Sequence, residues 1–333
     1  LKFSRFKYLL LIISPIPIIL IALMLGAYSL TFNQITHLFW SKITNNIADT
    51  QIQGHIILFQ VRLPRILLAF LSGMAFSTSG AAFQAIFHNP LVDSYVLGLG
   101  SGAAFGAALA LIYLPISSQI AAFIFGLIAV GSAYFIAYKD NEVSHISLIL
   151  SGIMISALFT SMLSVLQIFA DPLKLQSIVY WMMGSLHTAT WDKIYSSLPF
   201  MIIGITILLN KRWKLNILSL GDKECKSLGL NPQKEKLIVI IGATMLASSA
   251  VSVSGIIGLV GLMIPHIVRM IIGPDNRFLI PSVISFGGAF LVLVDTISRN
   301  IASYEIPVGI FTTLIGVPFF IYLLRKTKLG GWQ

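Results

Sequence analysis

Residues Ile66–Phe83 read ILLAFLSGMAFSTSGAAF, a run without a single Asp, Glu, Lys or Arg. A charge-free apolar run of about 18 residues or more can cross the hydrocarbon core of a bilayer as a helix. With Arg65 at its edge the run makes a span at about 65–83, and the same pattern recurs along the chain. Further spans are read at about 8–30, 92–114, 119–138, 146–169, 193–210, 236–252, 256–271, 278–297 and 306–324. Polar, Pro or Gly punctuation separates them, as at Asn89-Pro90, Pro115, Asp140-Asn141, Asp171-Pro172, Asn231-Pro232 and Gly273-Pro274. The eighth, short and glycine-rich, is expected to be broken rather than a plain helix. The first, Tyr8–Leu30, is too long for the apolar core of a signal peptide and lacks an Ala-x-Ala site, so it is expected to be retained.

The composition agrees. Of 333 residues, 56% are hydrophobic and only 10% charged, against roughly 25% charged in soluble domains. The mean hydropathy of +0.90 leaves too little charge to solvate a large aqueous domain. The expected fold is therefore an all-α polytopic membrane protein of about ten transmembrane helices, one transmembrane domain over 1–333. The net charge of +10 fits cytoplasmic loops rich in Lys and Arg, and no nucleic-acid partner is expected. With the N-terminus inside, six of the 22 Lys and Arg residues lie outside (Lys42, Arg62, Arg65, Lys174, Lys193, Arg299) and sixteen inside. That asymmetry places both termini in the cytoplasm.

Small residues recur where helices approach closely, at Gly98, Gly102 and Gly106 and at Gly255, Gly258 and Gly261, a spacing that suits bundle packing. Intramembrane ionisable groups are few. Asp295 and Arg299 are four residues apart and can neutralise each other on one helix face. Glu305 precedes Pro307 where a last span begins, a favourable place for a carboxylate. No proton relay can be drawn from them, which argues against an ion-coupled secondary transporter. There is no phosphate-cradling loop, no His-Glu-x-x-His and only one cysteine, Cys225. No catalytic activity, cofactor or metal site is therefore expected.

Two features need a further reason. Arg62-Leu63-Pro64-Arg65, joined by Arg299, puts paired arginines on the outer side. They suit headgroup anchoring and docking of an acidic partner through bidentate pairs equally well. The longest inner connection, Lys211–Lys236, contains Ser219-Leu220-Gly221-Asp222 with capping-box spacing. Leu220, Cys225 and Leu228 then fall near one face, and Gly229 supplies a stop. A short amphipathic helix there can seat in a groove of a cytoplasmic partner or lie on the bilayer surface.

The chain resembles the permease subunits of ABC importers for iron-siderophores, haem and cobalamin, the FecCD family. Arg62-Leu63-Pro64-Arg65, Gly80-Ala81-Ala82-Phe83-Gln84, Asn89-Pro90-Leu91-Val92-Asp93, Leu97-Gly98 and Ser101-Gly102-Ala103 resemble its first block. Trp181-Met182-Met183-Gly184-Ser185, Ser219-Leu220-Gly221 and Leu228-Gly229-Leu230 resemble its middle. Gly255–Leu262, Pro265-His266-Ile267-Val268-Arg269, Gly273–Arg277, Asp295–Arg299, Glu305–Gly309 and Gly316–Phe320 resemble its final third.

The resemblance implies a type II ABC importer permease fold in a bacterial or archaeal cytoplasmic (inner) membrane. It implies a homodimer with a second permease subunit, two cytoplasmic ATP-binding subunits that hydrolyse ATP, and an extracytoplasmic substrate-binding protein. Arg62, Arg65 and Arg299 would receive acidic residues of that protein. Residues 218–230 would couple to the ATPase, through Leu218, Ser219, Leu220, Gly221, Asp222, Glu224, Leu228 and Gly229. Asp222 stands where the family often has Glu, and Lys226 where a small residue or Arg is common. The inner gate and pathway would involve Asn89, Pro90, Ser144, His145, Ile146, Ser147 and Ser151. Ser156, Thr160, Ser161 and Ser164 add hydroxyls along the fifth span. The implied cargo is a metal chelate, with a metal oxyanion such as molybdate or tungstate as the second class.

Overall fold

Helices form where the apolar runs predict them, and they stop at the proline, glycine and polar punctuation between the runs. The computed structural model describes residues 5–26, 28–45, 52–301 and 305–326; Lys2 and Lys328, counted above as inner cations, lie outside these. In chain order the elements are α1 (Arg5–Ile13), α2 (Pro15–Met24), α3 (Phe32–Ile43), α4 (Ile52–Ile56), a π-helical turn (Ile57–Arg62) and α5 (Leu63–Phe87). Next come α6 (Leu99–Ile112), α7 (Ser118–Ala137), the two-residue strands β1 (Tyr138–Lys139) and β2 (Glu142–Val143), α8 (His145–Phe169) and α9 (Pro172–Met182). The chain continues through α10 (Trp191–Leu218), α11 (Asp222–Ser227), α12 (Pro232–Ser254), α13 (Val260–Ile272), α14 (Asn276–Ser298) and α15 (Val308–Lys326).

Among the described residues seven helical stretches are long and apolar enough to cross a membrane: 5–24, 52–87, 118–137, 145–169, 191–218, 232–254 and 276–298. Three shorter apolar helices, Leu99–Ile112, Val260–Ile272 and Val308–Leu323, stand where the other expected spans were read. The first span is shorter than read. It kinks at Ser14-Pro15, because proline cannot continue the hydrogen-bond ladder, and ends at Met24. A separate helix, α3, follows it, started by a reciprocal Thr31–Gln34 capping box. The stretch 92–98, read as part of the third span, is not helical. Between β1 and β2, Asp140 and Asn141 both take positive φ (52° and 62°), the backbone a two-residue hairpin turn requires.

Helix α5 lies at the centre, with nearly all of its residues buried. Its neighbours reach it at glycines. A Cβ on Gly73 would sit 2.3 Å from the Gly287 carbonyl oxygen of α14, and one on Gly80 would sit 1.9 Å from that of Gly261 on α13. Helices α6 and α7 meet in the same way, with Gly102 against the Phe125 carbonyl and Gly106 against that of Ala121. The glycines at 102, 106 and 261 thus serve bundle packing, whereas Gly98 (φ 83°) is the turn that starts α6.

The expected break in the eighth span lies at 255–259, between α12 and α13. Gly255 takes φ 69° there, where a side chain would be strained. Non-helical backbone inside a membrane bundle must find protein partners, and it does. The Tyr95 hydroxyl donates to the Ile257 carbonyl at 3.1 Å and accepts from the Ile257 N–H at 3.2 Å. The Asp93 carboxylate accepts the backbone N–H of Leu259, which stands at the start of α13 with positive φ. Ser185 N–H donates to the Ser254 carbonyl at 2.8 Å, and Gly309 N–H donates to that of Gly184 at 3.2 Å, so three segments meet backbone to backbone.

Gly80→Ala forces a methyl into the Gly261 backbone and is expected to cost about 1–3 kcal/mol, as overpacked cores do. Gly131→Ala, where a Cβ meets nothing within 4 Å, should leave stability unchanged. Thermal unfolding of both variants in detergent checks this, and equal melting temperatures would exclude the close α5–α13 contact.

Candidate functional site

The outer arginines are buried or half-buried and bonded within the chain. Arg62 is 3% exposed. Its Nη1 donates to the carbonyls of Leu23 (2.6 Å) and Met24 (3.3 Å), and its Nη2 to that of Tyr28. Half-buried Arg299 donates from Nη2 to the Ala22 carbonyl at 2.6 Å. The last carbonyls of a helix have no partner within it, and the two guanidiniums close the end of α2. Arg62 ends a π-helical turn whose Phe59 carbonyl takes the Trp191 indole N–H at 2.8 Å.

Arg65 contacts both nearby acids. Its Nε and Nη2 hold the Asp295 carboxylate at 2.9–3.1 Å, and Nη1 reaches Glu305 at 2.7 Å. Asp295 is 1% exposed and Glu305 about half exposed. The expected local pairing of Asp295 with Arg299 is thereby corrected, because Arg65 offers a bidentate fork in a buried setting. Arg299 instead caps α14 at its C-terminus. Glu305 likewise lies before α15, not in its first turn, and is held by Arg65. The three arginines are thus largely engaged within the chain.

The other candidate residues lie away from these arginines, around the end of α10 and the start of α8. Ser219 does not cap α11. It caps the end of α10 and donates to the Asn216 carbonyl at 2.7 Å, while Gly221 is the N-cap of α11 without a side-chain bond. The capping-box reading fails because α10 runs on to Leu218, which makes Ser219 its C-cap. The supposed common apolar face divides as well. Cys225 is fully buried, whereas Leu220 and Leu228 are 62% and 59% exposed. Burial pushes the Cys225 thiol above its ordinary value, which keeps it a poor nucleophile. Gly229 ends the segment with φ 77°, Leu218 is buried and Glu224 is exposed. Nearby, Arg277 holds the Asp275 carboxyl down to about 2, and Asn216 joins Asp275 to the end of α10 at 2.7 Å.

The gate candidates meet this segment. Ser144 caps α8, accepting the Ser147 N–H at 3.0 Å. Ser144, His145 and Ser147 share a polar cavity of about 550 Å³ with His88, Glu142, Gly221 and Asp222. Asn89 and Pro90 line a second cavity of about 420 Å³ with His88, Ser219, His266 and Arg269. Ser151 is buried and donates to the Leu148 carbonyl, whereas Ile146 is exposed. Thr160, Ser161 and Ser164 lie on the exposed side of α8, with Ser161 and Ser164 bonded back to their own helix. A third cavity of about 780 Å³ is lined by residues including Gln119, Tyr180, Trp181, His187 and Lys193. Among the described residues no three His, Cys, Asp or Glu side chains are grouped to hold a metal ion.

Residues 10–326 match the FecCD transport family. The chain belongs to that family. It is 40% identical over 330 residues to the molybdate import system permease protein MolB of Haemophilus influenzae, covering 97% of this chain and 95% of that protein. It is 40% identical over 280 residues to the cobalamin import system permease protein BtuC of Halobacterium salinarum, covering 83% and 75%. A solved inward-facing ABC transporter, described as of the metal-chelate type, superposes with a TM-score of 0.86 at 34% identity, covering 97% of this chain and all of that one. This FecCD chain is thus the permease component of a binding-protein-dependent ABC importer, a multi-pass inner-membrane protein with a type II-like permease fold. It is not a secondary transporter, and ATP hydrolysis belongs to separate subunits.

Sequence reasoning missed three residues that the fold puts to use. Lys236 and His88, from distant helices, flank His145, and Asp93 supports the broken helix. Only the unwound glycine-rich stretch hinted at Asp93, because helix ends that lack their own caps need an acceptor from elsewhere.

Removing Arg65 strands the buried Asp295 carboxylate, and losing one partner of a buried pair costs about 3–5 kcal/mol. Arg65→Met should therefore lower the melting temperature and the folded yield, and Arg65→Met with Asp295→Leu should recover most of both. Denaturation in detergent tests this; a single variant as stable as wild type would remove the triad's structural role.

Proposed function

We propose that two copies of this chain form the pathway of a metal-chelate importer, with ten spans per subunit, both termini cytoplasmic and residues 1–333 a single transmembrane domain. The observation that carries this reading is the inner cavity where Ser144, His145 and Ser147 meet Gly221 and Asp222. A gate and a coupling segment that line one space can act on each other directly. Exposed Leu220 and Leu228 give the cytoplasmic ATPase an apolar foothold. Leu218, Ser219, Gly221, Asp222, Glu224 and Gly229 shape the segment around them. The second copy covers the exposed side of α8, where an otherwise apolar span carries Thr160, Ser161 and Ser164. Asn89, Pro90, Ile146 and Ser151 stand at or near the inner end of the pathway.

A metal chelate of the iron-siderophore, haem or cobalamin class suits the likeness to the metal-chelate type transporter. A metal oxyanion is the second reading, favoured by the molybdate permease at 40% identity and by the hydroxyls on α8. The ligand that copurifies with the cognate binding protein separates the two, since an oxyanion there would displace the chelate.

Leu228→Asp places a charge on the surface offered to the ATPase and imposes a desolvation cost on docking. The variant should insert normally, lose copurification with the ATP-binding subunits and lose uptake in proteoliposomes. Assembly and uptake at wild-type levels would move the coupling role elsewhere.

For the binding protein, the half-buried Arg299 is the member of the arginine set that can meet a partner's carboxylates, with Arg62 and Arg65 holding the surface around it from beneath. Arg299→Glu should weaken binding-protein affinity by about tenfold at low salt, because like charges facing each other across an interface repel. Added salt should narrow the gap, as it does between exposed charges. Equal affinities for wild type and variant at both salt concentrations would end the docking role.

A further inference from the structure

The coupling segment and the start of α12 that follows it are tied to the hairpin and α8 at three points. Lys226 Nζ lies 2.9 Å from the Glu142 carboxylate, but both side chains are more than half exposed, and exposed pairs of that kind contribute little. Gln233 accepts the Val143 N–H at 3.0 Å, a neutral bond between α12 and β2. The third link is of a different kind. Lys236 on α12 is 3% exposed, and its Nζ lies 2.7 Å from the Asp222 carboxylate and 3.2 Å from His145 Nε2. His145 Nε2 is itself 3.7 Å from Asp222 Oδ1.

The contacts close into a ring. The His145 imidazole lies against that of His88, with ring centroids 4.6 Å apart. His88 Nε2 lies 2.6 Å from the carbonyl oxygen of Leu218, the last residue of α10. Both ends of the 218–222 stretch are therefore held, Leu218 by the end of α5 through His88 and Asp222 by Lys236.

We propose that Lys236 is the positioning residue through which movement of the ATPase-docking segment reaches the inner end of α8. The proposal rests on the coupling reading given above. An ammonium head carries three donors and no acceptor, so one buried Lys236 can hold a carboxylate on α11 and an imidazole on α8 together. Separating Asp222 from Lys236 would leave a buried charge without a partner. A shift of α11 therefore takes Lys236 and His145 with it, whereas the exposed Lys226–Glu142 pair can break without such a penalty.

The test uses the complete transporter in proteoliposomes, permease with its ATP-binding subunits and binding protein. Molybdate, haemin and cyanocobalamin are the uptake probes, and the one carried by wild type is followed. Lys236→Met is expected to assemble with the ATPase and keep basal ATP hydrolysis within about twofold. Its uptake per ATP hydrolysed should fall about tenfold, a size usual for coupling between sites, and binding-protein stimulation of hydrolysis should fall with it. Lys236→Arg, which keeps charge and donors, should restore both. Because Lys236→Met leaves Asp222 unpaired, Lys236→Met with Asp222→Asn is the second variant, free of stranded charge, and it should be uncoupled as well.

Wild-type uptake per ATP in Lys236→Met or in the double variant overturns the proposal, as does an equal loss of assembly in the Met, Arg and double variants, which would mark a purely structural residue. Retention of the ATPase by Leu228→Asp is a separate result. It would sink the docking reading, whereas unchanged coupling in Lys236→Met sinks only the link described here.

Discussion

The structure depends on how closely its central helix can be approached. Helix α5 is wrapped on nearly every side, and its neighbours come near enough because glycine meets glycine, Gly73 beside Gly287 and Gly80 beside Gly261. Lipid offers no hydrophobic drive between helices, so contact at this range is what holds them together. The same approach brings the unwound stretch 255–259 beside Tyr95 and Asp93. Their side chains there replace the hydrogen bonds that the broken helix lost.

Charge is distributed in keeping with this packing. At one end of the bundle Arg62, Arg65 and Arg299 spend their donors on the end of α2 and on Asp295 and Glu305, which joins α2, α5, α14 and the segment before α15 into one corner. A buried ion pair of this sort specifies geometry more reliably than it adds stability. Around Lys236, Asp222 and His145, a cavity is open beside the contacts. The arginine corner is thus built to hold its shape, and the lysine one combines a buried charge with room to move.

Sequence patterning located the spans well because bilayer thickness imposes one length and one chemistry on each of them. It did less well where a span is not a helix throughout, as at 92–98, or is kinked and short, as at Ser14-Pro15 and Met24. Charged residues were harder still. Asp295 and Arg299 are natural partners on one helix, yet Arg65, 230 positions away in sequence, takes the carboxylate. Ser219 has the spacing of an N-cap but closes the end of α10 instead, because α10 runs about two turns beyond its apolar run.

By itself the sequence determined that the chain crosses a membrane many times, where it turns, which helices need glycines, and which family it resembles. These are properties of composition and local spacing, and the solvent reads them residue by residue. Only the tertiary structure decided which charges face each other. That outcome depends on the angles at which distant helices cross and on which side chains lose water together. So Arg62 and Arg65 became internal ties, Leu220 and Leu228 turned away from Cys225, and Lys236 came to rest between Asp222 and His145. A buried charge takes whatever partner the packing brings within reach, however far away that partner stands in the chain.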